Sequence, residues 1–293
     1  MKYPALLSSL ILAVAGNAQA AEQDTFLSNG VTAHRGNSGL FPECTMPAFQ
    51  SGIDVGADWI ELDVLRTKDG RLAVIHDLTT GRVGDRNLDV TQSVYSELAK
   101  VDVATDFRKR HGLTLAECPR QQIPTLEDVL NLIMRQRKTR VSIQPKMDCV
   151  ADAIRLIRRL AAEPWVGFND GNLAFMSQVK RLAPEIPVFW DRARSDLAAD
   201  LVIARRHGFE ALVLNEKVLT PAKALQIQRA GFEAGVWTVN SEADLKRFLT
   251  MGVDRIYTDF PTRLLELKKG LPPRESDPRA GHTKGNNRKR LGR

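Results

Sequence analysis

The feature that most constrains the fold is a regular alternation of short apolar runs with helical patterns along most of the chain. Eight runs rich in β-branched and apolar residues predict strands, at Val31–His34, Trp59–Val64, Val141–Gln144, Trp165–Phe168, Pro187–Trp190, Ala211–Leu214, Ala234–Thr238 and Arg255–Thr258. Helical patterns follow them at Thr45–Val55, Leu126–Arg137, Val150–Ala162, Leu173–Leu182, Ser195–His207, Pro221–Ala230, Glu242–Met251 and Thr262–Lys269. Alternation of this kind is typical of a parallel sheet covered by helices.

Eight such units in about 250 residues predict an α/β fold, the (β/α)8 TIM barrel. An open, doubly wound sheet is the alternative, because alternation alone does not show that the sheet closes. The Rossmann glycine fingerprint is absent after the first predicted strand, which favours the barrel. The connection between Asp77 and Pro124 is too long for a plain barrel loop. We therefore predict a small insert after the second strand, at about residues 78–123.

The first twenty residues have the pattern of an export signal. Lys2 provides a positive start, Ala5–Gly16 is an apolar run, and Ala18-Gln19-Ala20 matches the small-x-small cleavage pattern. A buried N-terminal helix is the alternative interpretation. The pattern predicts a signal peptide at residues 1–20, a barrel domain at 21–270, and a protein that is periplasmic or secreted.

The basic character of the chain is concentrated at its C-terminal end. The sequence has 42 basic and 35 acidic residues, a net charge of +7. Seven basic and two acidic residues fall within positions 270–293, so this segment accounts for +5 and the body is nearly neutral. We predict a disordered basic tail at 271–293 that contacts anionic surfaces, and no specific nucleic-acid partner. The sequence leaves the oligomeric state open.

Cysteine chemistry is not indicated. The chain has three cysteines, Cys44, Cys118 and Cys149, and none of them has the CxxC spacing of a zinc site. An odd number cannot pair completely, so at most one disulfide is expected.

The second predicted strand carries two carboxylates on one face. Because side chains alternate along a strand, Ile60 and Leu62 share the apolar face and Glu61 and Asp63 share the other. The outer face of a barrel strand packs against helices and must be apolar, which directs both carboxylates into the barrel near the C-terminal end of the strand. Enzymes with this fold place their active sites at that end.

The first and third predicted strands repeat this pattern. His34 faces inward from the first strand, and Ser142, Gln144 and Lys146 face inward from the third or its end. Polar side chains inside a barrel are costly unless they are satisfied, so their convergence predicts a functional site. A satisfied buried polar network without function is the alternative.

The composition of this cluster narrows its chemistry. Glu61, Asp63 and Gln144 offer only oxygen ligands, which suit a divalent cation such as Ca²⁺ or Mg²⁺ better than zinc. Arg35 and Lys146 are suited to bind a phosphate.

Two histidines complete the cluster. His34 and His76 exchange protons near neutral pH, which suits general acid–base catalysis. A hard cation, an anion clamp and two histidines together indicate cleavage of a phosphodiester.

The sequence resembles the glycerophosphodiester phosphodiesterase family over roughly Val31 to Leu267. The segments that carry the resemblance are Ala33-His34-Arg35-Gly36, Phe41-Pro42-Glu43-Cys44-Thr45, Ile60-Glu61-Leu62-Asp63-Val64, Thr67-Lys68-Asp69-Gly70, Val74-Ile75-His76-Asp77, Ile123-Pro124-Thr125-Leu126-Glu127, Trp237-Thr238-Val239-Asn240 and Gly252-Val253-Asp254-Arg255-Ile256-Tyr257-Thr258-Asp259. The resemblance implies a (β/α)8 barrel with a small insert. It also implies cation-dependent hydrolysis of a small-molecule glycerophosphodiester to glycerol 3-phosphate and an alcohol.

The family's functional residues carry over position by position. The resemblance implies a catalytic pair (His34 and His76), substrate contacts (Arg35, Lys146 and Trp237) and metal ligands (Glu61, Asp63 and Gln144). It leaves Glu43 uncertain between a place in the site and a supporting role.

Two departures from the family pattern bear on function. Cys44 stands where the family usually has Asn, and Gln144 stands where it usually has Glu, which removes one negative charge. We expect weaker metal binding, compensation by another carboxylate such as Asp170, or a different substrate. The alternatives are therefore a phosphodiesterase that acts on lysolipids or another phosphodiester, and a binding protein that has lost turnover.

Overall fold

The computed structural model describes residues 27–136 and 138–270. Its strands are β1 (Val31–Ala33), β2 (Trp59–Arg66), β3 (Leu72–Val74), β4 (Arg140–Pro145), β5 (Val166–Asp170), β6 (Val188–Arg192), β7 (Ala211–Asn215), β8 (Glu233–Trp237) and β9 (Arg255–Thr258). All except β3 pair in parallel, in the order β1-β9-β8-β7-β6-β5-β4-β2. Thr32 of β1 pairs with both Trp59 and Tyr257, which closes the sheet. The predicted TIM barrel is confirmed.

Helices lie on the outside of the barrel. They are α1 (Met46–Asp54), α2 (Tyr95–Leu98), α3 (Thr105–His111), α4 (Leu126–Met134), α5 (Val150–Leu160), α6 (Leu173–Leu182), α7 (Leu197–His207), α8 (Pro221–Arg229), α9 (Glu242–Met251) and α10 (Pro261–Lys269). Within the described residues, eight of them alternate with the barrel strands, and the other two, α2 and α3, lie in the segment between β3 and α4. Local chemistry sets their ends. Thr125 and Asp128 form a capping box at the start of α4, and Gly208 and Gly252 adopt left-handed conformations at the ends of α7 and α9.

The strand predicted at Trp165–Phe168 begins a residue later than expected, as does the one predicted at Pro187–Trp190. Trp165 belongs to a short 3-10 helix, Glu163–Trp165, and its N–H donates to the Ala162 carbonyl. Pro164 has no N–H to give to a strand ladder, so the chain makes a tight turn before β5 begins at Val166.

A buried arginine closes the base of the barrel. Arg255 has no exposed surface, and its Nη2 lies 3.0 Å from Oε2 of Glu233. Its guanidinium also lies 3.8 Å from the ring centroid of Phe189 and 5.1 Å from that of Trp59, a contact that stabilises a desolvated cation. With Tyr257 these rings fill the barrel from its N-terminal end, which leaves the C-terminal end for a site.

Strand β3 was not predicted, because a run of three residues carries little periodicity. It pairs antiparallel with β2, so the chain turns back at Gly70 and returns toward the C-terminal end of the barrel. The segment at 78–123 then carries α2 and α3. A separate small core, which includes Val90, Leu98 and Val101, holds this segment together.

The predicted signal peptide and basic tail lie outside the described residues. Within the described ranges, no helix is long and apolar enough to cross a bilayer. Cys44, Cys118 and Cys149 are all buried and unpaired, so the structure has no disulfide among them.

Candidate active site

A cavity of about 410 Å³ opens at the C-terminal end of the barrel. Seven of the eight predicted site residues line it: His34, Arg35, Glu61, His76, Gln144, Lys146 and Trp237. The eighth, Asp63, is 1% exposed and lies beneath the two cationic side chains of the cavity. The barrel therefore brings together residues that are spread over two hundred positions of the sequence.

The turn after β1 directs its backbone toward the second strand. Arg35 adopts a left-handed conformation (φ 55°), and its N–H donates to Oε2 of Glu61 over 3.1 Å. Gly36 follows with φ 81°, and a Cβ there would lie 2.7 Å from the carbonyl carbon of Ala48. Only glycine fits this position, since it needs both a positive φ and the absence of a side chain.

His34 is oriented by a carboxylate from the far end of the chain. Its Nδ1 lies 2.7 Å from Oδ1 of Asp259, which follows β9. Asp259 also accepts hydrogen bonds from Ser38 Oγ (3.0 Å) and Asn240 Nδ2 (2.6 Å). Nε2 of His34 lies 4.0 Å from Oε2 of Glu61.

These surroundings shift the proton affinity of His34. Burial lowers the pKa of His34, but the hydrogen bond to Asp259 and the charge of Glu61 outweigh it, so the pKa lies above its usual value of 6.5. In turn, the hydrogen bond from His34 holds the pKa of Asp259 below its ordinary value against the effect of burial.

His76 has its own carboxylate, which the insert holds in place. Nδ1 of His76 lies 2.5 Å from Oδ1 of Asp77, and Nε of Arg82 donates to the other oxygen of Asp77. Arg82 also donates to both carboxylate oxygens of Glu43, at 2.9 and 2.6 Å. Glu43 accepts a further bond from Arg35 (3.0 Å), so it is a support that joins two arginines.

The proton affinity of His76 moves in the opposite direction. Burial lowers its pKa below 6.5, and the positive charges of Arg35 and Lys146 add to this effect. The charge of Asp63 and the hydrogen bond to Asp77 oppose it without reversing it. The two histidines therefore differ in protonation over a range of pH around 6.5, which is the arrangement that an acid and a base need.

Two positively charged side chains, Lys146 and Arg35, face the cavity above Asp63. Nζ of Lys146 lies 3.4 Å from Oδ1 of Asp63, 2.9 Å from Oε1 of Gln144 and 3.2 Å from Nε2 of His76. Nε of Arg35 lies 3.4 Å from Oδ2 of Asp63. Asp63 thus holds both cations at the edge of the cavity, where an anion is able to reach them.

Buried carboxylates surround the other side of the cavity. Burial first, and repulsion from Asp63 second, raise the pKa of Glu61 to about 7. Burial also raises the pKa of Asp191 to about 8, with added repulsion from Asp170 and Glu61. Asp191 accepts hydrogen bonds from the side-chain amides of Asn169 (3.1 Å) and Gln144 (3.2 Å).

Comparison with known proteins identifies the chain. Residues 34–263 match the model of the Glycerophosphoryl diester phosphodiesterase family. The chain belongs to this family. A glycerophosphodiester phosphodiesterase from Bacillus altitudinis is 31% identical over 253 residues, which cover 82% of this chain and 98% of that protein. Human lysophospholipase D is 26% identical over 302 residues, which cover 90% of each chain.

A solved structure has the same fold as this family member. A phosphodiesterase from Oleispira antarctica, in complex with the product sn-glycerol-3-phosphate, superposes with a TM-score of 0.72 at 21% identity. The match covers 83% of this chain and 98% of that one.

The backbone conformation at Cys44 suits the Asn that the resemblance to the glycerophosphodiester phosphodiesterase family implies at this position. Cys44 has φ 55°, a left-handed conformation that Asn adopts at less cost than other side chains. The chain keeps this conformation with Cys, whose Sγ lies 3.8 Å from Oδ2 of Asp63.

Three carboxylates of this family member were not predicted as site residues. Asp77 and Asp259 lie directly after His76 and Thr258 in the sequence, at strand ends where polar side chains reach the barrel mouth. Asp191 lies two residues after the inward-facing Phe189, so strand alternation alone predicts that it faces inward. The sequence therefore indicated a place in the site for all three carboxylates. It gave no such indication for Arg82, because the contacts of Arg82 depend on how the insert folds.

Proposed function

We propose that this protein hydrolyses glycerophosphodiesters to glycerol 3-phosphate and an alcohol, with His34 and His76 as acid and base and with a divalent cation, Ca²⁺ or Mg²⁺. The observation that carries the proposal is that one cavity contains both histidines, each with its own carboxylate, together with the positively charged side chains of Arg35 and Lys146. Membership of the family supports the substrate class.

The phosphate of the substrate is bound by Arg35 and Lys146. Asp63 lies 3.4 Å from each of the two side chains, and both of them line the cavity. Trp237 lines the same cavity, and its Nε1 has no hydrogen-bond partner among the described residues. Its ring offers an apolar wall to the glycerol and its N–H a donor to a glycerol hydroxyl.

Proton transfer follows from the opposite shifts of the two histidines. His76, with its lowered pKa, is neutral near neutral pH and takes a proton from the water whose oxygen attacks the phosphorus. His34, with its raised pKa, holds a proton longer and donates it to the oxygen of the departing alcohol. Asp77 and Asp259 bind the Nδ1 atoms, so both Nε2 atoms face the cavity.

The donor set beside the cavity fits a hard cation. Glu61, Asp63 and Gln144 supply oxygen atoms, and Oδ1 of Asp63 accepts no hydrogen bond from the described residues. Within 27–136 and 138–270, no three His, Cys, Asp or Glu side chains are arranged around one point as metal ligands. A bound cation would polarise a phosphoryl oxygen and offset its charge.

Hydrolysis of glycerophosphocholine and glycerophosphoethanolamine tests this proposal. We expect release of glycerol 3-phosphate by the wild type, and a loss of about 10²- to 10⁴-fold in His34→Asn and in His76→Asn. His111→Asn, on α3 outside the cavity, is the matched control. Wild-type-like rates in either folded active-site variant would remove that histidine from the mechanism.

A lysolipid substrate is the second candidate. Human lysophospholipase D matches 90% of this chain. In addition, Leu78, which directly follows Asp77, is 57% exposed, so an apolar side chain lies beside the site. The ratio of kcat/KM for lysophosphatidylcholine to that for glycerophosphocholine decides between the two. A ratio above one favours the lysolipid.

We keep export as part of the proposal. Its support is the sequence pattern of Lys2, Ala5–Gly16 and Ala18–Ala20, with a barrel domain at 21–270 and a basic tail at 271–293. Fractionation of cells that express the full chain, with N-terminal sequencing of the product, tests the cleavage site.

A further inference from the structure

Gln144 lies at the strand position where a carboxylate would serve a cation best. It pairs in register with Asp63 of β2, at the C-terminal end of β4. Its amide brings an oxygen but no charge. That amide is also engaged on both sides, because Oε1 accepts from Lys146 and Nε2 donates to Oδ2 of Asp191 over 3.2 Å.

Asp191 is a buried carboxylate with one free oxygen. It lies near the end of β6, is 8% exposed and forms part of the cavity wall. Its Oδ2 accepts from Asn169 and Gln144, whereas its Oδ1 has no hydrogen-bond partner among the described residues. No arginine or lysine within those residues forms an ion pair with it. A buried carboxyl oxygen without a partner is costly, and a bound cation would satisfy it.

We propose that Asp191 supplies to the cation site the negatively charged oxygen that Gln144 lacks. This inference rests on the cation dependence proposed above. Gln144 then positions Asp191, because its amide N–H donates to the Asp191 carboxylate, whereas a glutamate at position 144 would repel that carboxylate. Ser142 extends the arrangement, because its Oγ donates to Oδ1 of Asn169 (2.6 Å) and thereby fixes the second amide that holds Asp191.

Two other carboxylates near the cavity fit this role less well. Both oxygens of Glu43 are bound by Arg82, and one of them also by Arg35. Asp170 accepts from the N–H of Asn172 over 2.6 Å, so it builds the turn that precedes α6. Asp191 alone among the three has a buried oxygen without a hydrogen-bond donor in the described part of the chain.

Calorimetric titration of the full chain with Ca²⁺ and with Mg²⁺, without substrate, tests the proposal. We expect Asp191→Asn to weaken cation binding by about 10- to 100-fold, because it removes the charge but keeps the acceptor for both amides. Asp170→Asn is the matched control and should bind as the wild type does. The double variant Gln144→Glu with Asp191→Asn moves the charge back to residue 144 and should restore affinity to within about threefold of wild type.

The outcomes separate this inference from the function on which it rests. An unchanged cation affinity in Asp191→Asn overturns the inference and leaves cation dependence intact. Failure of the double variant to recover overturns it as well. A wild-type protein that binds neither cation overturns both. If circular dichroism shows that Asp191→Asn is misfolded, Asp191→Ser takes its place in the same titration.

Discussion

Nδ1 of His34 and Oδ1 of Asp259 lie 2.7 Å apart, although 225 positions of sequence separate the two residues. The contact forms only because β1 and β9 pair and close the barrel. It fixes the ring of His34 and raises its pKa, and it leaves Nε2 directed to the cavity. Closure of the sheet thus determines both the direction and the protonation of a candidate acid.

The pH dependence of Asp259→Asn tests this relationship. In the wild type we expect a bell-shaped rate profile, with an acid limb below pH 6.5 where His76 becomes protonated and an alkaline limb above 6.5 where His34 loses its proton. Removal of the Asp259 charge lowers the pKa of His34, so the alkaline limb should move toward acid pH. A limb that does not move would show that His34 does not set it.

We expect Arg82→Ala to lower kcat by about tenfold with little change in KM, because Arg82 positions Asp77 and through it His76. Loss of the Arg82 charge beside Asp77 should also raise the pKa of His76 and move the acid limb of the rate profile to higher pH. Arg86→Ala is the matched control, since Arg86 lies in the same insert and its one ion pair within the described residues is with Asp85, at 4.0 Å. Equal effects of the two variants would contradict a positioning role.

Cys44→Asn should raise the free energy of unfolding by about 1 kcal/mol, because Asn adopts the left-handed conformation at less cost. Cys44→Val should lower it, since β-branched side chains fit that conformation worst. Urea unfolding of the three proteins measures both changes. A less stable Asn variant would show that packing of the thiol against Asp63 matters more than the backbone.

Exhaustive chelation should abolish turnover, and a hard divalent cation should restore it better than zinc does. The measurement is release of glycerol 3-phosphate after dialysis against a chelator and readdition of Ca²⁺, Mg²⁺ or Zn²⁺. Full activity in the chelated protein would remove the cation from the mechanism.

A chain that ends at Gly270 should keep the wild-type kcat and KM for small diesters. Nζ of Lys268 donates to the carbonyl of Asn29, just before β1, so α10 ends at the base of the barrel, away from the cavity. Binding to vesicles that contain anionic lipid should weaken in the shortened protein. Lost turnover with retained fold would place part of the tail in the site.

Much of the site could be predicted from local sequence, because strand alternation is a local property. Glu61 and Asp63 share a face for that reason alone, and the same rule placed His34 and Gln144 in the barrel. Closure of the sheet could not be predicted in the same way, since it depends on the pairing of the first and last strands and not on any one segment. The structure shows it through the two pairings of Thr32.

What could not be predicted depends on contacts between distant segments. Arg82 reaches Glu43 and Asp77 only because β3 turns the chain back and the insert folds on its own small core. Three residues of strand give no periodic signal. For Asp191, the inward direction was available from Phe189, but the unpaired oxygen depends on the amides of two other strands.

The buried arginine at the base of the barrel bears on substrate entry and product release. Arg255, Glu233 and the rings around them fill the N-terminal end of the barrel, so the described residues leave the cavity open toward the C-terminal end. We therefore expect both products to leave by the route through which the next substrate enters. Glycerol 3-phosphate that stays on Arg35 and Lys146 would then compete with the next substrate, and the turnover rate would depend on how quickly this product leaves.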